Sequence, residues 1–73
     1  MSILDNLYNE LTRKVQTANK DITREIVEDW VGNAGEESQQ IAFMSFTLSE
    51  LANGSDTADK IVADMLQLAY LDN

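Results

Sequence analysis

Apolar positions recur along the chain at spacings of three and four residues, which is the pattern of an amphipathic α-helix. Four segments follow this pattern, and short polar stretches separate them. Proline is absent, and none of the 3 glycines interrupts a periodic segment. The pattern therefore predicts an all-α fold, a compact bundle of four short helices at about 2–18, 21–31, 36–53 and 56–71.

Residue types that cap helices predict where each helix begins and ends. A short polar side chain before an apolar stretch accepts a free backbone N–H of the first turn. On this basis the expected N-caps are Ser2, Asp21 and, for the last helix, Ser55 or Asp56. Gly32 and Gly54 are expected to end the second and third helices, with Gly32 in the left-handed conformation.

The third helix carries an unusual pair of aromatic residues. Its expected core face consists of Ile41, Met44, Leu48, Leu51 and Ala52. Phe43 and Phe46 project away from this face, towards the side that carries Glu50. The Phe and Thr content of 41–48 also permits a β-strand, but the sequence offers no second strand to pair with it.

The fourth helix is apolar over a broader arc than one core face requires, so part of it should be covered by another molecule. We expect Phe43 and Phe46, with part of the surface formed by Leu66, Tyr70 and Leu71, to lie in an interface. Trp30, the single tryptophan, is expected to close the small core, and the alternative is that it anchors a partner.

Length and composition indicate one folded domain, 1–73. Leu, Ile, Val and Phe make up about 26% of the 73 residues, above the roughly 20% below which a charged chain stays disordered. The N-terminus lacks a basic region followed by an apolar stretch, and the longest apolar run is 41–44. We therefore expect a cytoplasmic protein with no signal peptide and no membrane span.

The missing residue types exclude much familiar chemistry. With Cys 0 and His 0, the chain has no thiolate or imidazole for a zinc site and no histidine for a catalytic triad. The glycine-containing loops lack the spacing of phosphate-binding or calcium-binding loops. The acids at 25, 28, 29, 36, 37, 56 and 59 are read as helix caps and solvated helix faces. We expect no enzyme, no catalytic residue, no metal and no cofactor.

The charge is divided unevenly along the chain. Residues 1–24 carry three acids and four bases, whereas residues 25–73 carry ten acids and one base, Lys60, within a net charge of −8. Such a charge opposes direct binding of nucleic acid and favours a basic protein surface. The expected partner-binding residues are Glu25, Glu28, Asp29, Glu36, Glu37, Glu50, Phe43, Phe46 and Tyr70.

These observations lead to two hypotheses about function. The first is a small acidic regulator or inhibitor that occludes a basic, nucleic-acid-handling surface of a larger protein; in size and charge it is similar to phage-encoded inhibitors of host defence. The alternative is a structural subunit or homodimer whose apolar faces associate. Neither hypothesis involves a membrane, and the acidic surface can also be read as serving solubility alone.

Overall fold

The computed structural model describes residues 2–71, and these residues form a bundle of four α-helices. The helices are α1 (Ile3–Ala18), α2 (Arg24–Gly32), α3 (Glu37–Asn53) and α4 (Asp56–Leu71). The all-α bundle predicted from the apolar spacing is thus confirmed, and three of the four helices begin within a residue of their predicted start. Residues 41–48 lie inside α3, so the alternative of a β-strand there is wrong.

Local capping explains three of the helix starts. The Ser2 hydroxyl accepts the backbone N–H of Asp5 at 3.0 Å, and the Ser55 hydroxyl accepts that of Ala58 at 3.3 Å. At the start of α3 the backbone N–H of Glu36 donates to the side chain of Gln39 at 2.9 Å, within a capping box. These bonds give partners to N–H groups that the helices themselves leave free.

The second helix begins later than the sequence suggested, because Asp21 is not its N-cap. Thr23 occupies that position, and its hydroxyl accepts a first-turn N–H at 3.4 Å. Ile22 is fully buried in the core, although it lies in the non-helical turn before α2. The backbone N–H of Asp21 donates to the Asn19 side chain at 2.9 Å, in a turn that precedes the helix.

Gly32 was also predicted wrongly, because it does not adopt the left-handed conformation. It is the last residue of α2, and the Asn33 cap after it keeps a right-handed conformation with φ −73°. Among the described residues, the positive φ values belong to Gly35, at 111°, and Gly54, at 63°. Gly54 therefore ends α3 as expected, while the turn between α2 and α3 depends on Gly35.

All four helices contribute to one core. Its buried apolar side chains are Tyr8, Leu11, Val15, Ile22, Ile26, Val27, Val31, Met44, Ala58, Ile61 and Met65. On α3 the predicted core face is only partly correct, since Ala52 is exposed and Thr47 is fully buried. The Thr47 hydroxyl donates to the carbonyl of Phe43 at 2.8 Å, which satisfies it without a partner from another helix.

The packing brings the acid-rich part of the chain together. α1 packs most extensively on α3, whereas α1 and α4 contact each other least. α2, α3 and α4 contact one another in all pairs. As a result, the three helices that carry residues 25–71 pack as neighbours of one another. None of the helices in 2–71 combines the length and the apolar character needed to cross a bilayer.

Candidate partner-binding surface

Trp30 and Phe43 form an aromatic pair between α2 and α3. Their ring centroids lie 4.5 Å apart with the planes inclined by 27°, a stacked arrangement. Trp30 is half-buried and packs against the core, and Phe43 is also half-buried. A partner would therefore meet Phe43 as part of a stack that the fold already holds in place.

Three large apolar side chains near this pair or at the end of α4 remain exposed. Phe46, one helical turn beyond Phe43, is 52% exposed, and Tyr70 and Leu71 are 71% and 75% exposed. Leu66, which the sequence grouped with the latter two, is half-buried against the core. The remaining exposed large apolar residue of the described chain, Ile3, lies at the start of α1, within the part of the chain richer in bases.

A depression between α2 and α4 borders the aromatic pair, and we call it the Trp30 notch. Its volume is about 230 Å³ and its lining residues are Trp30, Asn33, Asp64, Gln67, Leu68 and Leu71. The side-chain N–H of Asn33 donates to the carbonyl of Asp29 at 3.1 Å, which leaves the side-chain oxygen as an acceptor. Asp64 could not be assigned to this site from the sequence, because it meets Trp30 only when α2 packs on α4.

Three of the six predicted acidic site residues have partners within the fold. Glu28 forms an ion pair with Arg24 at 2.8 Å, one helical turn away. Glu50 accepts a hydrogen bond from the Ser55 hydroxyl at 2.6 Å, and Glu36 is the N-cap of α3. These three carboxylates help to shape the helices that carry them.

The other three predicted acids are exposed. Glu25 and Asp29 lie on α2, and Glu37 begins α3. Both ion pairs found within residues 2–71 are made by Arg24, so these three carboxylates face solvent without a cation.

The acidic site residues do not form a single patch. Glu50 follows Glu36 by 14 positions, which corresponds to about 21 Å along a helix. Glu37 is six positions from Phe43, or about 9 Å along the axis. Asp29 therefore precedes Trp30 directly in the chain, Glu37 begins α3 before Phe43, and Glu50 lies near the far end of α3.

Arg24 organises a polar network that the sequence analysis missed. Its guanidinium donates to the carboxylates of Asp5 and Glu28 and to the Asn9 side chain, and it lies 5.6 Å from the centre of the Tyr8 ring. Hydrogen bonds to Asp5 and Glu28 raise the pKa of Arg24. The spacing of Arg24 and Glu28 could have indicated their pairing, but the contact with α1 depends on the tertiary fold.

Tyr8 connects this network to α3. Its hydroxyl donates to the Gln40 side chain at 3.0 Å. Burial raises the pKa of Tyr8, the negative charge of Glu28 adds to the rise, and Arg24 opposes it. The network therefore joins α1, α2 and α3, and we assign it to the stability of the bundle.

Other depressions on the surface differ from the Trp30 notch in their lining residues. One of about 550 Å³ lies along α1 and Arg24 and is lined by Asn6, Asn9, Glu10, Thr12, Arg13 and Arg24. It contains one carboxylate and two guanidinium groups, so it lacks the paired acids of a hydrolytic site. Within 2–71, no three acidic side chains come close enough to hold a metal ion.

Family models, curated proteins and solved structures give no significant match.

Proposed function

We propose that this chain is a non-enzymatic binding protein that occludes a basic surface of a larger, nucleic-acid-handling partner. One observation carries the proposal. Residues 25–71 contain nine acids and one base, and of those acids only Glu28 is ion-paired within the described chain. The same three helices carry exposed Phe46, Tyr70 and Leu71.

The mechanism would combine attraction with apolar anchoring. Unpaired carboxylates speed the encounter with a basic surface and orient the two molecules, because their charges are not already neutralised by the fold. Aromatic and aliphatic side chains at the centre of an interface supply most of the affinity once water is excluded. Lysines and arginines that would otherwise contact phosphates would then be covered.

The test is capture of the partner by the immobilised chain from an extract of its own cells. The captured protein is identified by mass spectrometry, and its purified form is titrated by calorimetry at low and physiological salt. We expect affinity to fall at least several-fold over that range, because attraction between opposite charges is screened. Affinity that does not change with salt would contradict the electrostatic part of the proposal.

Matched variants locate the interface. Phe46→Ser removes an exposed aromatic from α3, and Ile3→Ser removes an exposed apolar side chain from α1. The double change Asp29→Asn with Glu37→Gln is matched by Glu10→Gln with Asp21→Asn, which alters the net charge equally. Only the first member of each pair should weaken binding, and equal losses within a pair would argue against this surface.

Self-association is the second candidate, and the exposure of Tyr70 and Leu71 at 71% and 75% favours it. Large exposed apolar groups at a helix end are often covered by a second copy. Sedimentation equilibrium of the purified chain separates the candidates. A dimer that dissociates on dilution, and that is lost when Tyr70 and Leu71 are changed to Ser, would support the homodimeric subunit.

A further inference from the structure

From its lining, we infer that the Trp30 notch is a receptor site for one arginine side chain of a basic protein partner. The inference rests on the proposed function and names the chemical group that this surface would recognise. An arginine side chain has an apolar stem and a flat, permanently charged head with five N–H donors. The notch offers a counterpart to each of these parts.

The apolar part of the notch matches the stem. Leu68 and Leu71 line it from α4, and Leu71 is 75% exposed, so its side chain is accessible to a partner. The volume of about 230 Å³ lies below the roughly 300–1,000 Å³ of pockets that enclose drug-sized ligands. The notch is therefore suited to a single long side chain and not to a cofactor.

The aromatic part matches the face of the guanidinium. Phe43 stacks on one face of Trp30 with the ring centres 4.5 Å apart, so the indole is held in place and its uncovered part borders the notch. Tryptophan is the strongest of the aromatic side chains as a cation–π partner, and arginine is the cation that most often occupies such a position. A lysine ammonium would gain less, because it cannot stack.

The polar rim matches the donors of the guanidinium. Asp64 supplies a carboxylate, and the side-chain oxygen of Asn33 is left to accept because its N–H group is committed to Asp29. Among residues 2–71, no lysine or arginine lines the notch. Lys60 stands one turn before Asp64 on α4, yet the ion pairs within 2–71 are those of Arg24 alone. The carboxylate of Asp64 is thus available to a cation from outside.

A two-peptide titration tests this inference. The probe is a short alanine peptide, capped at both ends, with one central arginine; its control carries uncharged citrulline at the same position. Binding is followed by NMR of the ¹⁵N-labelled chain at low salt, where the indole N–H of the single tryptophan gives one unambiguous signal. We expect the Trp30, Asn33 and Gln67 side-chain signals to move with the arginine peptide and much less with the citrulline peptide.

Two variants of equal charge separate the notch from general acidic attraction. Asp64→Asn should raise the Kd of the arginine peptide about three- to fivefold, whereas Asp59→Asn, on the same helix but outside the notch, should change it less than twofold. Both residues are exposed, so circular dichroism should show both variants folded. A lysine peptide should bind more weakly than the arginine peptide.

The outcomes distinguish this inference from the proposed function. Equal losses in the two variants, with shifts spread over the acids of α2–α4, would overturn the notch while leaving electrostatic binding intact. Absence of any shift with the peptide, although the captured basic partner still binds, would also overturn the notch alone. If neither the peptide nor a basic partner binds, both proposals fail.

Discussion

Gly32 and Gly54 have similar positions in the sequence, each at the end of a periodic apolar stretch, but their backbones differ. Gly54 has φ 63°, in the left-handed region that side chains disfavour, whereas Gly32 is a helical residue of α2. A Cβ added at either position would meet no neighbouring atom within 4 Å. Substitution of these two glycines therefore compares a position with backbone strain, Gly54, with one without it, and steric contact affects neither.

Alanine at these two glycines should change stability in opposite directions. Gly54→Ala should cost about 1–2 kcal/mol because it holds a side chain in the left-handed conformation. Gly32→Ala should be neutral or stabilising by up to about 1 kcal/mol, because alanine favours the helix. Urea unfolding followed by circular dichroism measures both. A loss at Gly32 as large as that at Gly54 would contradict the observed helix end.

The Tyr8→Phe substitution should lower the free energy of unfolding. It should also make that free energy less sensitive to alkaline pH. Loss of the hydrogen bond to Gln40 should cost about 1 kcal/mol at neutral pH. Because the pKa of Tyr8 is raised above its ordinary 10.0, the fold favours the neutral phenol. That stabilisation is complete below pH 10.0 and is lost as the pH rises through the raised value.

The measurement for Tyr8 is urea unfolding of both proteins at several values between roughly pH 8 and pH 11. The free energy of unfolding should fall more steeply above pH 10 in the unchanged protein than in the Tyr8→Phe variant. Parallel curves would show that the Tyr8 hydroxyl does not contribute to the alkaline loss of stability.

At the scale of the helices, α2 shows how a core contact shifts an element boundary. Asp21 and Thr23 are both suitable N-caps by residue type, and the choice between them depends on Ile22. Ile22 is fully buried but lies outside the helix, so its side chain enters the core from the turn and Thr23 is the last residue before α2 begins. Apolar spacing within α2 alone contains no information about that insertion.

The cap assignment leads to a matched pair of variants. Thr23→Ala should cost about 1 kcal/mol, since the first turn of α2 loses the hydroxyl that accepts the backbone N–H of Ile26. Asp21→Ala should stay within about 0.5 kcal/mol, because Asp21 is exposed and does not cap the helix. Chemical unfolding measures the free energy of unfolding of both variants. A larger loss for Asp21→Ala than for Thr23→Ala would indicate that Asp21 is the N-cap of α2.

How much of the surface could be predicted depends on whether a feature belongs to one helix or to contacts between helices. Helical spacing placed Phe43 and Phe46 outside the core face of α3, and Tyr70 on a face of α4 too broad for the core alone. Phe46 and Tyr70 are exposed, whereas Phe43 is half-buried. The stack of Phe43 on Trp30 and the approach of Asp64 to Trp30 require the packing of α2 on α3 and α4. Contacts between helices far apart in sequence are not contained in the periodicity of either one.

At the scale of the whole molecule, the uneven charge bears on stability as well as on binding. The net charge is −8, and within 2–71 only Asp5 and Glu28 are ion-paired. The remaining carboxylates repel one another more strongly in the compact bundle than in the extended chain. Under the proposed function, this repulsion is the cost of keeping the carboxylates free for a partner.

The melting temperature should therefore rise with salt. Between about 0.01 M and about 0.15 M salt the screening length falls from roughly 30 Å to roughly 8 Å, which weakens repulsion between exposed carboxylates. Thermal unfolding by circular dichroism measures the change. The Asp29→Asn, Glu37→Gln double variant should gain less from salt. A melting temperature that falls with salt would mean that attractive pairs, such as those of Arg24, dominate.

We propose that α2, α3 and α4, which with their caps carry nine acids together with Phe46 and the Trp30–Phe43 pair, are the helices that bind a basic protein. The most direct measurement is an NMR map of the captured partner on the ¹⁵N-labelled chain at physiological salt. We predict that the perturbed signals cluster on these three helices and include the Trp30 indole N–H. Perturbation centred on the exposed face of α1 around Arg13 and Lys14 would contradict the account.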